Sequence, residues 1–347
     1  MVNGPSTIFA WLSRLLHLRR AVGLPRPRDM PGVFRSAATP CTNLAYRRAG
    51  AAHPVEALHR AAARENRTQV MFTKMTHQQR ARWTLSWLYR LVVNALDSTP
   101  NGRFLLLTPP VLDRQVILDR RTGATISVHI RDLIDHRVAK QIFADHDYAI
   151  EKSCRMKEMG DYYDRIRKAG KIPLIIDCGG NIGMATRYFC EMFRDAAIVC
   201  IEPDASNIAM ARRNNPCDRV SFLHAAIGSV DSKARMSDPG TGNWGLRVEH
   251  AEDGDIPIVS MRTVLETYDS AKYTPFIIKV DIEGFERDLF AQDTDWMDDV
   301  PLLVIELHDW LLPGQATSNN FLREVAKRRR DVNFNSENVF CVSNTLL

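Results

Sequence analysis

Leu174-Ile175-Ile176-Asp177-Cys178-Gly179-Gly180-Asn181-Ile182-Gly183 decides the fold. An apolar run meets an acid, and three glycines then fall within five positions. A short buried strand that ends in a glycine-rich turn and opens a helix is how doubly wound α/β sheets receive nucleotides. Glycine lets a backbone turn sharply and approach a ligand that a Cβ would block. The helix is legible too: Met184, Tyr188, Phe189, Met192 and Phe193 recur at helical spacing.

The glycine spacing narrows the ligand. A dinucleotide pattern G-x-G-x-x-G needs glycine at 178, where Cys178 stands; begun at Gly179 it fails at Asn181. That disfavours an NAD(P)-dependent oxidoreductase. Asp177 followed by Gly-Gly-Asn-x-Gly is instead the usual first motif of S-adenosylmethionine (SAM) enzymes, in which no pyrophosphate is cradled. A second strand, Ala197–Ile201, ends in Glu202, 19 positions after Gly183. An acid ~20 residues on accepts hydrogen bonds from ribose hydroxyls in nucleoside sites of either kind. Cofactor candidates in this part of the chain are therefore Asp177, Gly179, Gly180, Asn181, Gly183 and Glu202.

At 347 residues the chain accommodates one main domain and an extension. No apolar run reaches the ~20 residues that span a bilayer. The seven cysteines (41, 154, 178, 190, 200, 217 and 341) have no C-x-x-C spacing, and two lie in expected buried strands. They read as small core side chains of a reducing compartment, hence a cytoplasmic protein, and not as a disulfide frame or zinc site. The net charge of +5 is uneven: residues 1–100 hold 15 Lys and Arg against 4 Asp and Glu, so the remainder is acidic. A basic arm implies an anionic partner or a solvated leader. Within it, Ile8, Trp11, Leu12, Leu15 and Leu16 share one face of a candidate helix, suited to peripheral membrane contact or to docking on the domain. Residues 23–55 read as linker, and a further helix is expected at about 78–97.

Three short strands follow, Phe104–Leu107, Gln115–Leu118 and Ala124–Ile130, as an antiparallel meander. Helical patterns resume at Asp132 and around Asp161–Lys168. A third strand of the main sheet, Val220–Leu223, opens into His224-Ala225-Ala226, which places His224 and Ala226 near an adenine base. The glycine-rich loop Pro239–Gly245 carries Trp244, a candidate stacking platform for a substrate.

Phe276-Ile277-Ile278-Lys279-Val280-Asp281-Ile282-Glu283-Gly284-Phe285-Glu286 brings three charged groups to the carboxyl end of a buried strand, the edge where open α/β sheets bind ligands. Charges there are costly unless paired or used; a plain Lys-Asp-Glu ion-pair cluster is the alternative. A helix is expected to start at Gly284. Pro301–His308 is a further buried strand ending in Glu306 and His308, and Asn338–Ser343 reads as a closing antiparallel strand.

In this order the motifs Asp177–Gly183, Ile201-Glu202-Pro203, Ala226–Gly228, Lys279-x-Asp281-x-Glu283-Gly284-x-Glu286 and Ile305–His308 resemble the FkbM-like methyltransferases, and Val138–Tyr148 resembles their lead-in. The resemblance implies an α/β, Rossmann-like class I methyltransferase fold: a mostly parallel seven-stranded sheet with helices on both faces. It covers 132–347, preceded by a β-rich lead-in at 101–131 and a basic, mostly helical extension at 1–100. It implies SAM as cofactor and, as acceptor, a hydroxyl of a sugar, glycan or other small molecule. In-line methyl transfer needs alignment and a base. Asp281 is the first choice and His308 the second, with Lys279 holding Asp281 ionised or acidifying the acceptor, and with Glu283, Glu306 and Trp244 at the substrate. A divalent metal on Asp281, Glu283 and Glu306 is an open alternative; the main reading assigns no metal. A non-catalytic scaffold that kept the fold is the competing class. The DNA-methyltransferase motif Asn/Asp-Pro-Pro-Tyr/Phe/Trp is absent, so nucleic acid is not expected as substrate.

Overall fold

The computed structural model describes residues 102–108, 113–150, 155–237 and 247–347, together with Leu85, Leu88, Leu91 and Val92, which are helical. The expected arm helix at 8–17, the linker at 23–55, most of the helix at 78–97 and the Trp244 loop lie outside the described residues.

The quoted stretch forms β4 (Ile172–Cys178). Its side chains alternate between two cores: Ile175 enters one, and Leu174, Ile176 and Cys178 enter the other. A strand buried on both faces has no polar alternation to show, which explains its continuous apolar sequence. The same holds for β5 (Ala197–Ile201), β11 (Tyr273–Val280) and β12 (Leu302–Glu306). With β6 (Val220–Leu223), β13 (Arg330–Asn335) and β14 (Asn338–Ser343) they form a seven-stranded sheet of order β13-β14-β12-β11-β4-β5-β6. Pairing is parallel from β12 through to β6, while β14 is antiparallel to both of its neighbours. The expected Rossmann-like fold is thus present. From β4 the chain builds outward to β6 and then returns to β11 on β4's other side. The topological switch, and the ligand crevice that goes with it, lie at the carboxyl ends of β4 and β11.

Helices α1 (Leu133–Phe143), α2 (Met156–Lys168), α3 (Met184–Met192) and α4 (Ala205–Asn214) cover one face, and α5 (Met261–Glu266), α6 (Glu286–Leu289) and α7 (Asn319–Ala326) the other. Asp132 caps α1 through Ile134 N and Asp135 N, and Asp204 caps α4 through Asn207 N. The lead-in is a three-stranded antiparallel sheet, β1 (Phe104–Leu106), β2 (Arg114–Asp119) and β3 (Thr125–His129). Phe104 docks it edge-on against Phe143 of α1 and Tyr188 of α3, at 5.2 and 5.7 Å between ring centres.

Two features differ from the sequence reading. Asn338–Ser343 does not close the sheet: it lies inside, and β13 is the edge. A second sheet also appears, of order β7-β10-β8-β9, built from β7 (Ala226–Gly228), β8 (Ser232–Ser237), β9 (Arg247–His250) and β10 (Ile256–Ser260). It buries only a small core around Ala226, Ala234, Ile256 and Ile258. Short strands with such a thin apolar face leave little period-two signal.

Candidate active site

The glycine turn is shaped by its protein neighbours. Gly179 has φ +74°, and a Cβ there would fall 1.7 Å from the carbonyl oxygen of Asp281. Gly180 faces Cys200 Sγ, and Gly183 (φ +79°) faces Asn215. The sequence reading gave these glycines to a ligand; the structure adds that the chain leaving β11 and the helices beside the turn already demand them. Asn181, at φ +46°, is in the left-handed region that asparagine tolerates better than most residues. Its N–H donates to Glu202 Oε2 at 2.8 Å, and its buried Oδ1 has no hydrogen-bond partner.

Glu202 follows β5. Its Oε1 accepts from Asp204 N at 3.0 Å and from Asn207 Nδ2 at 3.3 Å. Burial pushes its carboxyl up, against the pull of those donors. Glu202, Asn181 and Gly179 line a cleft with Asp281 and Glu283, and its apolar walls include Ile201, Ile227, Met236, Val248 and Phe285. The unforeseen second sheet supplies Met236 and Val248. Ala226 lines the cleft beside Ala225, while His224 is exposed, with Nε2 2.9 Å from Pro203 O, and is not among the lining residues.

Asp177 and Lys279 lie beneath the turn, on paired positions of β4 and β11. Lys279 is 2% exposed; its Nζ is 3.1 Å from Asp177 Oδ1 and donates to Gly179 O at 2.8 Å. Asp177 Oδ2 accepts from Thr186 Oγ1 at 2.6 Å. Burial alone would lower the Lys279 pKa, but Asp177, Tyr148 and Asp281 outweigh it and hold the group well above its ordinary value. The ammonium therefore ties the glycine turn to both strands, and 3.5 Å away it faces Asp281 Oδ2.

The mouth of β11 and β12 gathers the remaining candidates around His308. The imidazole is 1% exposed, and its Nδ1 lies 2.8 Å from Glu286 Oε1. The same oxygen accepts from Ile282 N at 3.2 Å, so Glu286 fixes both the histidine and the β11–α6 turn. Nε2 faces Asp281 Oδ1 at 3.5 Å, Glu283 Oε2 at 3.6 Å and Glu306 Oε1 at 3.7 Å. Burial works against the charged imidazole, yet the Glu286 bond and the surrounding carboxylates raise His308 to about 10. Burial, and next the Asp281 charge, push Glu283 to about 8 and Glu306 to about 9.

Sequence reasoning placed Glu286 merely near a helix start and overlooked Trp310. That helix begins at Glu286 itself, two residues beyond the expected Gly284. Trp310 is 52% exposed, with its ring 6.3 Å from His308. An indole two positions past a strand-end histidine was the available signal.

No family model matches the chain. Curated relatives do. NoeI, a 2-O-methyltransferase of Sinorhizobium fredii, is 24% identical over 155 residues, 40% of this chain and 64% of that protein. AglP, a hexuronic acid methyltransferase of Haloferax volcanii, is 22% identical over 197 residues, 54% of this chain and 80% of that protein. The chain thus spans less than two thirds of NoeI and more of AglP. Among solved structures, the O-methyltransferase TomG of Streptomyces achromogenes, in complex with SAM, is 12% identical, with 60% of this chain and 89% of TomG covered and a TM-score of 0.32. Among the described residues, no helix is long and apolar enough to cross a membrane.

Proposed function

We propose that this chain is a SAM-dependent methyltransferase of the FkbM-like kind that methylates a hydroxyl on a sugar, glycan or other small molecule. The observation that carries the reading is a cleft at the switch point lined by Glu202 and Asn181, whose Oδ1 is unpartnered, together with Asp281 and Glu283, the two carboxylates that face His308. The residues present suit SAM. Glu202 has a carboxylate for ribose hydroxyls, Asn181 Oδ1 has an unused lone pair, and Ala226, Ile227 and Phe285 offer an apolar wall to a base. When bound, SAM supplies an electrophilic methyl group.

The chain's own residues then have two tasks, alignment and removal of a proton. Asp281 lines the cleft and stands 3.5 Å from both Lys279 Nζ and His308 Nε2. It takes the proton of the acceptor hydroxyl. His308, held protonated, serves as its electrostatic partner and not as the first base. Glu283 and Glu306, raised toward their neutral forms, orient acceptor hydroxyls. Trp310 offers an exposed aromatic face beside them, suited to the C–H face of a sugar ring. The O-methylation by NoeI supports an oxygen acceptor, and the hexuronic acid substrate of AglP supports a carbohydrate-type one.

The test is methyl transfer from SAM to a panel of hexose and hexuronic acid glycosides, read by mass spectrometry. A product heavier by one methylene is expected, with kcat at least ~10²-fold lower in Asp281→Asn. A SAM-binding chain whose Asp281→Asn variant is as fast as the parent would remove Asp281 from the base role.

A further inference from the structure

The contacts of His308 Nε2 are at ion-pair distance but too long for hydrogen bonds. Its Nε2 stands 3.5 Å from Asp281 Oδ1 and 3.6 Å from Glu283 Oε2. Both exceed the roughly 2.7–3.2 Å of an N–H···O hydrogen bond. Two donors held about 2.1–2.2 Å from one cation at angles between roughly 90° and 110° stand about 3.0–3.6 Å apart. The two His308–carboxylate distances fall in that range, and one ligand-type atom each from Asp281, Glu283 and His308 lies within 4.8 Å of the others.

Three further observations agree. The imidazole is almost wholly buried, and Glu286 fixes its Nδ1, so Nε2 is aimed at the carboxylates. A carboxylate on the far nitrogen is the arrangement that orients metal-ligating histidines and sharpens their basicity. Glu283 keeps its carboxylate there at φ +54°, a backbone conformation unusual for glutamate. The local charge is also out of balance. Asp281, Glu283, Glu286 and Glu306 crowd one imidazole, and the nearby Lys279, 3.5 Å from Asp281, is shared with Asp177 and Gly179 O. Carboxyls crowded in this way ionise together only when a cation joins them.

We infer that Asp281, Glu283 and His308 form a binding site for one divalent first-row transition-metal ion, which takes the place of the proton that His308 Nε2 carries in the ion-free site, with Glu286 as the residue that orients His308. An imidazole together with carboxylates favours Mn²⁺, Fe²⁺, Co²⁺ or Zn²⁺ over Mg²⁺ or Ca²⁺. Glu306, 3.7 Å from Nε2, stands beside the site, within reach of a ligand bound to the ion. The inference rests on the methyltransferase reading only for the ion's role, which would be to hold and acidify the acceptor hydroxyl next to Asp281. Ion binding itself does not depend on that reading.

The experiment uses the full chain, stripped of metal and titrated with MnCl₂ without SAM, with free Mn²⁺ followed by electron paramagnetic resonance. Saturable binding of one Mn²⁺ per chain is expected, weakened ~10–100-fold in Glu283→Gln and in His308→Gln. Melting curves by circular dichroism establish that each variant is folded. Because Glu283 lies at the cleft surface, its variant serves even if the buried His308→Gln fails to fold. No saturable binding by the folded parent, or equal binding by Glu283→Gln, overturns the site. SAM binding measured on the same samples separates the two ideas: SAM bound without Mn²⁺ removes the metal alone, and Mn²⁺ bound without SAM removes the cofactor assignment alone.

Discussion

At the scale of single residues, Lys279 is the group on which the others depend. It is buried, it neutralises Asp177, and it holds the carbonyl of Gly179 while facing Asp281. Removing one partner of a buried ion pair strands the other charge in a medium that solvates it poorly, at about 3–5 kcal/mol. Lys279→Met is therefore expected to lower unfolding free energy by about that much in urea titrations, and to lose SAM affinity as the turn loosens. A variant of parental stability would show that the pair is not what holds the turn. Trp310 lies at the opposite extreme, exposed and free to meet an acceptor. Trp310→Ala is expected to raise the acceptor KM about tenfold while SAM affinity and melting temperature stay unchanged; an unchanged KM would remove it from the acceptor site.

At the scale of elements, the lead-in sheet is pinned by one carboxylate. Asp119 at the end of β2 takes a two-pronged contact from Arg103, Nε to Oδ1 at 3.0 Å and Nη2 to Oδ2 at 2.8 Å, plus Arg121 N and Thr122 Oγ1. Burial would raise its pKa, but these donors outweigh it and hold the carboxyl at about 2, against an ordinary 3.8. A carboxyl depressed by folding contributes stability above its unfolded value and loses it as pH falls through the folded one. Unfolding free energy should therefore drop between about pH 4 and pH 2, and Asp119→Asn should flatten that part of the curve. An equally steep acid limb in the variant would place the titration elsewhere. The strands of this meander could be read from sequence because turn residues bracket alternating runs. β13 could not, since Arg330–Asn335 leaves Val332 and Phe334 exposed at an edge and shows no buried face. The second sheet was hidden for a similar reason: its strands are short and cover only a thin core.

At the scale of the whole molecule, the sequence carried the fold wherever a strand is buried on both faces, because Leu174–Ile176, Phe276–Ile278 and Leu302–Ile305 had no choice but to be apolar. It also carried the ends of those strands, since Glu202, Asp281 and His308 are polar groups at the close of apolar runs. Long-range pairing was out of reach. Nothing in the spacing announces that Glu286 lies against His308, that the Asp281 carbonyl needs Gly179 bare, or that His224 turns outward to Pro203. These contacts join residues as few as 21 and as many as 102 positions apart, and only the sheet order brings them together.

The proposed activity depends on SAM binding in the switch-point cleft. Calorimetry of SAM binding to the full chain tests it most directly, with NAD⁺ as control and Glu202→Gln as the variant, because Glu202 lines the cleft without carrying the buried ion pair beneath it. Micromolar SAM binding is expected, about 10–100-fold weaker in Glu202→Gln through loss of charge-assisted hydrogen bonds, with no comparable binding of NAD⁺. A folded chain that binds no SAM, or that prefers NAD⁺, would contradict it.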